Sequence, residues 1–292
     1  MIGVIGTLDP HQNERERQLL EEIREQGNTP KAARLFQDLI LSHYRAYGRD
    51  LPWRRTTDPY HILVSEIMLQ QTQVERVVVR YHEFLERFPD FESLARAPQS
   101  EVLLAWQGMG YNRRAISLQK TARLVVDEYG GNLPADVETL ATLPGIGQAT
   151  AAAICAYAFN MAVVYIETNI RRTFIHFFFQ DQKGVRDDEI LPLVEQTLYQ
   201  ENPREWYSAL MDYGTVLKKR TVNPNRRSAS YTRQSRFEGS DRQVRGKILA
   251  LVLEEGTVTE EEVAARVSED AGRVKRILGD LEKEGFIAES EG

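Results

Sequence analysis

Residues 135–160 read ADVETLATLPGIGQATAAAICAYAFN, and this stretch decides the fold. Leu140 and the Ala-rich run after Gln148 are each spaced as helices, and the LPGIG between them (143–147) is too short for anything but a tight reversal. Gly145 and Gly147 supply backbone angles and close approaches that side chains forbid. The N–H groups of Gly147, Gln148 and Ala149 then open a helix with no internal acceptors, an arrangement suited to gripping a phosphate oxygen. An ordinary helical hairpin has the same signature, so the flanking sequence must decide between them.

Working outward, the chain is helical almost throughout. Leu35, Leu39 and Tyr44 mark an amphipathic helix, and further helical spacing runs from 60 to 130 with breaks at RFPDFES and GMGY (108–111). Residues 186–217 are helical again. Alternating strand patterns are almost absent, and the class is all-α. Residues 1–30 are expected to form a polar N-terminal extension, 31–220 the core, 221–242 a basic linker or arm, and 243–292 a separate tail. In the tail, three helical segments and a terminal apolar stretch give a helix–helix–helix–strand order like that of a winged-helix module, with Thr259 and Glu262 in capping-box spacing. Arg273, Lys275 and Arg276 fall on its third helix.

Two acids stand out. Glu66 lies in LPWRRTTDPYHILVSEIMLQQTQV (51–74), among Ile62, Leu63, Val64, Ile67, Met68 and Leu69, where a carboxylate is costly unless paired or protonated. Glu167, in VVYIETNIRRT, ends an apolar run and precedes Arg171 and Arg172; capping the following helix is the lesser, alternative reading.

The net charge is −6, yet nine basic residues against two acids fall between Lys218 and Arg245. Arg226, Arg227 and Arg233, interleaved with Tyr231 and Phe237, are expected to follow a phosphate backbone. A single cysteine, Cys155, excludes an internal disulfide framework and a multi-cysteine metal site, and the five histidines show no zinc spacing. No apolar run approaches membrane-spanning length and the N-terminus lacks signal-peptide grammar, so a cytoplasmic, nucleoid-associated location is expected.

LPWR, DPY, SEIMLQQTQV, RFP, EVLLAWQGMGY, LPGIG, ETNIRR and ALMDYG occur in order over about residues 31–217. As an ordered set they resemble the helix-hairpin-helix (HhH-GPD) DNA glycosylases of the endonuclease III superfamily, most of all the adenine DNA glycosylases. The resemblance implies a two-lobed helical fold and double-stranded DNA carrying a mismatch or lesion as partner; action as a monomer is the simplest expectation. It places Glu66 as the acid that protonates the departing base, Glu167 as the anion facing the sugar (the family has Asp there), and Asn169 beside it. Arg49, Leu51, Trp53, Leu69, Val74 and Asp212 fall on base-pocket positions, with Asp212 accepting from the exocyclic amine. Gln70, Gln71 and Thr72 fall on DNA-contacting positions, and Tyr111 on a wedge.

Where bifunctional relatives carry a Schiff-base lysine this chain has Ala149, so a monofunctional enzyme is expected. The four cluster cysteines of most relatives are missing, with Lys218 at the first site, so no iron–sulfur cofactor is expected. The short winged-helix-like tail stands where the resembled family has the domain that checks for 8-oxoguanine, so that domain is not expected. Excision of thymine or uracil opposite guanine, or DNA binding without catalysis, are the alternatives.

Overall fold

The computed structural model describes residues 10–232 and 236–288, and among these the elements are helices. They form two units.

The first unit holds residues up to Glu66 together with 134–142 and 146–232. Its helices are α1 (Pro10–Gln26), α2 (Pro30–Tyr47), most of α3 (Pro59–Leu69), α8 (Val137–Thr142), α9 (Gln148–Phe159), α10 (Thr168–Phe178), α11 (Asp187–Gln196) and α12 (Pro203–Arg220). Its core is aromatic: Phe36 of α2 packs edge-on against Phe174, Phe177, Phe178 and Trp206 at 5.2–5.7 Å between ring centres. Such pairs contribute about 0.5–1.5 kcal/mol each beyond their burial.

The polar N-terminal stretch is not a loose extension. Helix α1 packs on α2, Leu19 is buried, and Glu16 binds His176, Tyr213 and Arg220. Leu20 and Ile23 pack against the same core, and the charged face adds a second anchor. Cys155 in α9 is fully buried, and burial together with the Asp136 charge pushes its thiol up to about 11.

Helices α10 and α12 approach closely because residue 214 is glycine. A Cβ there would lie 2.5 Å from the Asn169 carbonyl oxygen and 2.7 Å from the Asn169 Cβ. Arg172 fixes the same spot, donating to the Gly214 carbonyl at 2.9 Å and to Asn169 Oδ1 at 2.5 Å. Gly214→Ala is therefore expected to lower stability by about 1–3 kcal/mol in thermal unfolding, despite alanine's better helix propensity. It also displaces Asn169.

The second unit holds 67–133, 143–145 and the tail from 233. Its helices are α4 (Val74–Arg87), α5 (Phe91–Arg96), α6 (Gln99–Ala105), α7 (Arg113–Tyr129), α13 (Asp241–Glu255), α14 (Glu260–Val267) and α15 (Ala271–Lys283). The tail forms its three helices, and the Thr259–Glu262 capping box is present. The expected terminal strand is not seen among the described residues. After α15 the chain turns instead, burying Phe286 and giving the Gly285 carbonyl to Gln99 Nε2 at 2.7 Å. Nor is α15 an open row of cations: Arg273 binds Asp241 and Glu269, and Arg276 binds Asp241.

The stretch after α12 is folded rather than extended. A 3-10 turn (Pro224–Arg227) is held by Asn225 Nδ2 donating to the Thr168 carbonyl and by Arg172 Nε donating to Asn223 Oδ1. Arg227 turns inward, donating to the carbonyls of Ile175, Phe179 and Gln180, the frayed end of α10. Helix ends leave such acceptors unpaired, and a basic side chain satisfies them. Arg227 is thus a helix cap and not part of a DNA-facing strip. Arg226 is exposed, and Arg233 lies outside the described residues. No described helix is long and apolar enough to cross a membrane.

Candidate active site

In the first unit, α3 is apolar nearly all round, with Ile62, Leu63 and Val64 buried beside Glu66. Glu66 itself is half-buried, and no hydrogen bond to its carboxyl is found among the described residues. Burial, and secondarily the charge of Glu167, push its pKa up to about 8. The two acids, about a hundred residues apart in the chain, are electrostatic neighbours.

Glu167 arrives on an extended segment and becomes the N-cap of α10, with Oε1 accepting from Asn169 N at 2.5 Å and Ile170 N at 3.0 Å. Capping and catalysis are therefore not alternatives: the helix start holds the carboxylate in place. Burial raises its pKa, while those two N–H groups and the charges of Arg172 and Arg171 oppose the rise. Glu66 has no such donors among the described residues. The asymmetry makes Glu66 the neutral member of the pair and Glu167 the anion. Asn169 is oriented by its backbone N–H on Glu167 and by Arg172 on its Oδ1.

Tyr157 in α9 also stands in this neighbourhood. Burial raises its hydroxyl pKa, and the charges of Glu66 and Glu167 add to the rise. Nothing in the sequence marks it, since an Ala-rich helix reads as core and gives no cue to that role.

Asp212 is buried, and its acceptors are occupied. Arg49 N and Nε reach Oδ2 and Oδ1 at 2.8 and 2.6 Å, and Arg54 Nη1 and Nη2 reach Oδ2 and Oδ1 at 2.9 and 2.8 Å. Against the effect of burial, Arg54 holds this carboxyl below its ordinary value. A carboxylate clamped by two guanidiniums is a brace, and the donors of Arg49 and Arg54 already occupy both oxygens where an exocyclic amine is expected to donate. Leu51 and Trp53 are buried alongside.

In the second unit, Gln70, Gln71 and Thr72 form the turn that ends α3, with Gln71 in the left-handed region at φ 55°. Leu69 and Val74 flank it, both half-buried. The turn is organised by Arg114 of α7. Its Nη1 donates to the carbonyls of Ile67, Met68 and Gln70 at 2.9, 2.9 and 2.5 Å; its Nη2 donates to Thr72 Oγ1, Met109 O and Gly110 O at 3.0–3.1 Å. The same guanidinium lies 5.4 Å from the Tyr111 ring centre. Tyr111 is itself left-handed (φ 48°) and 39% exposed.

The hairpin turn packs on α7: Gly145 has φ 79°, a Cβ there would meet Ser117 Cβ at 2.7 Å, and Thr121 Oγ1 donates to Pro144 O. Gly147 differs from the expectation. Its φ is −89° and a Cβ would meet nothing within 4 Å, so it serves as the N-cap of α9 without steric need for glycine. Gln148 and Ala149 open α9 and are exposed.

The HhH-GPD superfamily base excision DNA repair model matches residues 64–193. An adenine DNA glycosylase of Mycolicibacterium smegmatis is 36% identical over 272 residues, covering 86% of this chain and 92% of that protein. The chain belongs to the HhH-GPD superfamily. Other HhH-GPD relatives include a thymine/uracil-DNA glycosylase of Methanothermobacter thermautotrophicus, 30% identical over 65% of this chain and 87% of its own length. A thermostable thymine-DNA glycosylase structure superposes with a TM-score of 0.54 at 26% identity, over 69% of this chain and 87% of that one. The all-α HhH-GPD fold follows, and with it a place among the DNA glycosylases of base excision repair.

Proposed function

We propose that the protein is a monofunctional DNA glycosylase that hydrolyses the N-glycosidic bond of adenine mispaired with guanine or 8-oxoguanine. The observation that carries this reading is the pair of neighbouring acids with opposite hydrogen-bonding, Glu66 without donors among the described residues and Glu167 on two N–H groups. Glu66 gives its proton to the ring nitrogen of the extruded base, which leaves with the electrons of the glycosidic bond. The cationic sugar that remains is stabilised by the Glu167 carboxylate until water adds and loses a proton. Ala149 offers no amine, so no Schiff base forms and the product is an abasic site. Adenine as the base is supported by the 36% identity to an adenine DNA glycosylase. Thymine or uracil opposite guanine is the second reading, supported by the thymine-type relative.

An iron–sulfur cluster held by four thiolates does not fit this chain. Its one cysteine lies buried in α9, and no described group of three or more His, Cys, Asp or Glu could hold a metal. We infer that the tethered 3-10 turn at Pro224–Arg227 orders the segment after α12 without a metal.

Incubation with duplexes carrying A·8-oxoG, A·G, T·G and U·G, followed by alkali, tests the reading. Adenine release without strand cleavage before alkali is expected; release of thymine or uracil alone selects the second reading. The single-turnover rate is expected to hold level up to about pH 7 and to fall tenfold per unit above about 8, where Glu66 gives up its proton. On the acid side it falls as Glu167, raised above the ordinary carboxyl range, becomes neutral. A rate that climbs through pH 8 contradicts Glu66 as the acid.

A further inference from the structure

Within the second unit, a groove of about 1260 Å³ runs between the Gln70–Gln73 turn, the Gln107–Arg114 loop and one face of α13 in the C-terminal module. Seven basic residues line it against one acid, Glu284, in a chain whose net charge is −6. Arg76 and Lys247 are exposed on its walls. Glu284 neutralises only locally, bridging Arg113 and Arg245 and so tying the end of α15 to α7 and α13. Arg242 of α13 donates to the Tyr111 hydroxyl at 2.8 Å, which links the module directly to the wedge position.

Two further features fit a ligand here. Gly246 sits inside α13, where a Cβ would meet nothing within 4 Å. Mid-helix glycine costs about 1 kcal/mol and gains no packing at this point, but it lets a large group approach the backbone. Tyr111 and Phe237 are also exposed among the cations (39% and 59%), the mixture of rings and positive charge that suits splayed bases on a phosphate chain.

We propose that this groove grips a strand of the bound DNA, the C-terminal module forming its second wall through Arg242 and Lys247, and that Arg242 positions Tyr111. The proposal rests on the glycosylase reading above. The module is then a DNA-holding part of the enzyme, acting through α13 and not through α15, where Arg273 and Arg276 are paired with Asp241 and Glu269.

The test is fluorescence anisotropy of the full chain with a labelled 30-base-pair A·G duplex across sodium chloride concentrations. Lys247→Ala and Arg76→Ala, both at exposed positions, are each expected to weaken binding about 3- to 10-fold near 0.1 M salt. Each is also expected to flatten the log–log salt slope by about 0.9 for every phosphate no longer neutralised. Arg242→Ala and Tyr111→Phe are expected to be non-additive in the complex dissociation rate, since each removes the same hydrogen bond. Unchanged affinity and slope in both lysine and arginine variants overturn the groove and leave the glycosylase reading standing. Failure of the unaltered protein to bind any duplex overturns both.

Discussion

Glu66→Gln is expected to abolish base release while making the protein harder to unfold. Glutamine keeps the shape but offers no proton at any pH, and loss of a general acid costs about 10²–10⁴ in rate. The stability gain follows from the direction of the shift. The carboxyl's pKa rises from 4.5 unfolded to about 8 folded, so the folded state holds the proton more tightly. Below pH 4.5 both states are protonated and the group costs nothing. From 4.5 up to 8 the unfolded state is progressively favoured, and above 8 the penalty is complete. Removing the ionisable group is therefore expected to stabilise by on the order of 4 kcal/mol at pH 8 and by almost nothing at pH 4. Denaturant titrations of both proteins at the two pH values check this. A variant less stable than the parent at pH 8 means that Glu66 is held by a favourable partner and is not the neutral acid described here.

The second large effect is expected at Arg114. One guanidinium serves five main-chain carbonyls and a threonine hydroxyl, and it lies against the Tyr111 ring. Arg114→Ala leaves partly buried carbonyls with no donor at the end of α3 and in the 108–111 loop. Hydrogen bonds to charged groups contribute about 1.5–3 kcal/mol each but are not additive, so a loss of roughly 3–5 kcal/mol is expected. Thermal unfolding is then expected about 10 °C lower, since each kcal/mol moves the midpoint of a chain this size by about 2–4 °C. Arg114→Lys recovers little, because a point charge cannot serve two sets of acceptors as a planar fork does. An alanine variant melting within 2 °C of the parent sinks the account. Excision is expected to fall further than stability alone explains, because Gln70, Thr72 and Tyr111 are all set by this side chain.

Arg114 also marks the limit of what the sequence discloses. Glu66 and Glu167 are legible because a charge in an apolar run is conspicuous against its neighbours, and LPGIG is legible because glycine and proline constrain the backbone locally. The partners of Arg114 are main-chain oxygens between residues 67 and 110, and no residue type records which carbonyls lack a donor. Arg227 fails in the opposite way: composition places it in a basic stretch, but its direction depends on where α10 ends. Asp212 fails similarly, since the two arginines that occupy it lie some 160 residues earlier. The N-terminal helix reads in sequence only as a polar extension because its anchors, Glu16 to His176 and Arg220, are equally distant. The turn that stands where a tail strand is expected shows that an apolar stretch after a helix can be satisfied by one buried ring, Phe286.

The lone sulfhydryl in α9 has a bearing on the conditions such a protein meets. At a pKa of about 11 only about one molecule in ten thousand carries a thiolate at neutral pH, and Cys155 has no exposure to an attacking reagent. Peroxide and alkylating agents thus find no reactive thiol on this chain, whose one sulfhydryl is sealed inside the Ala-rich helix.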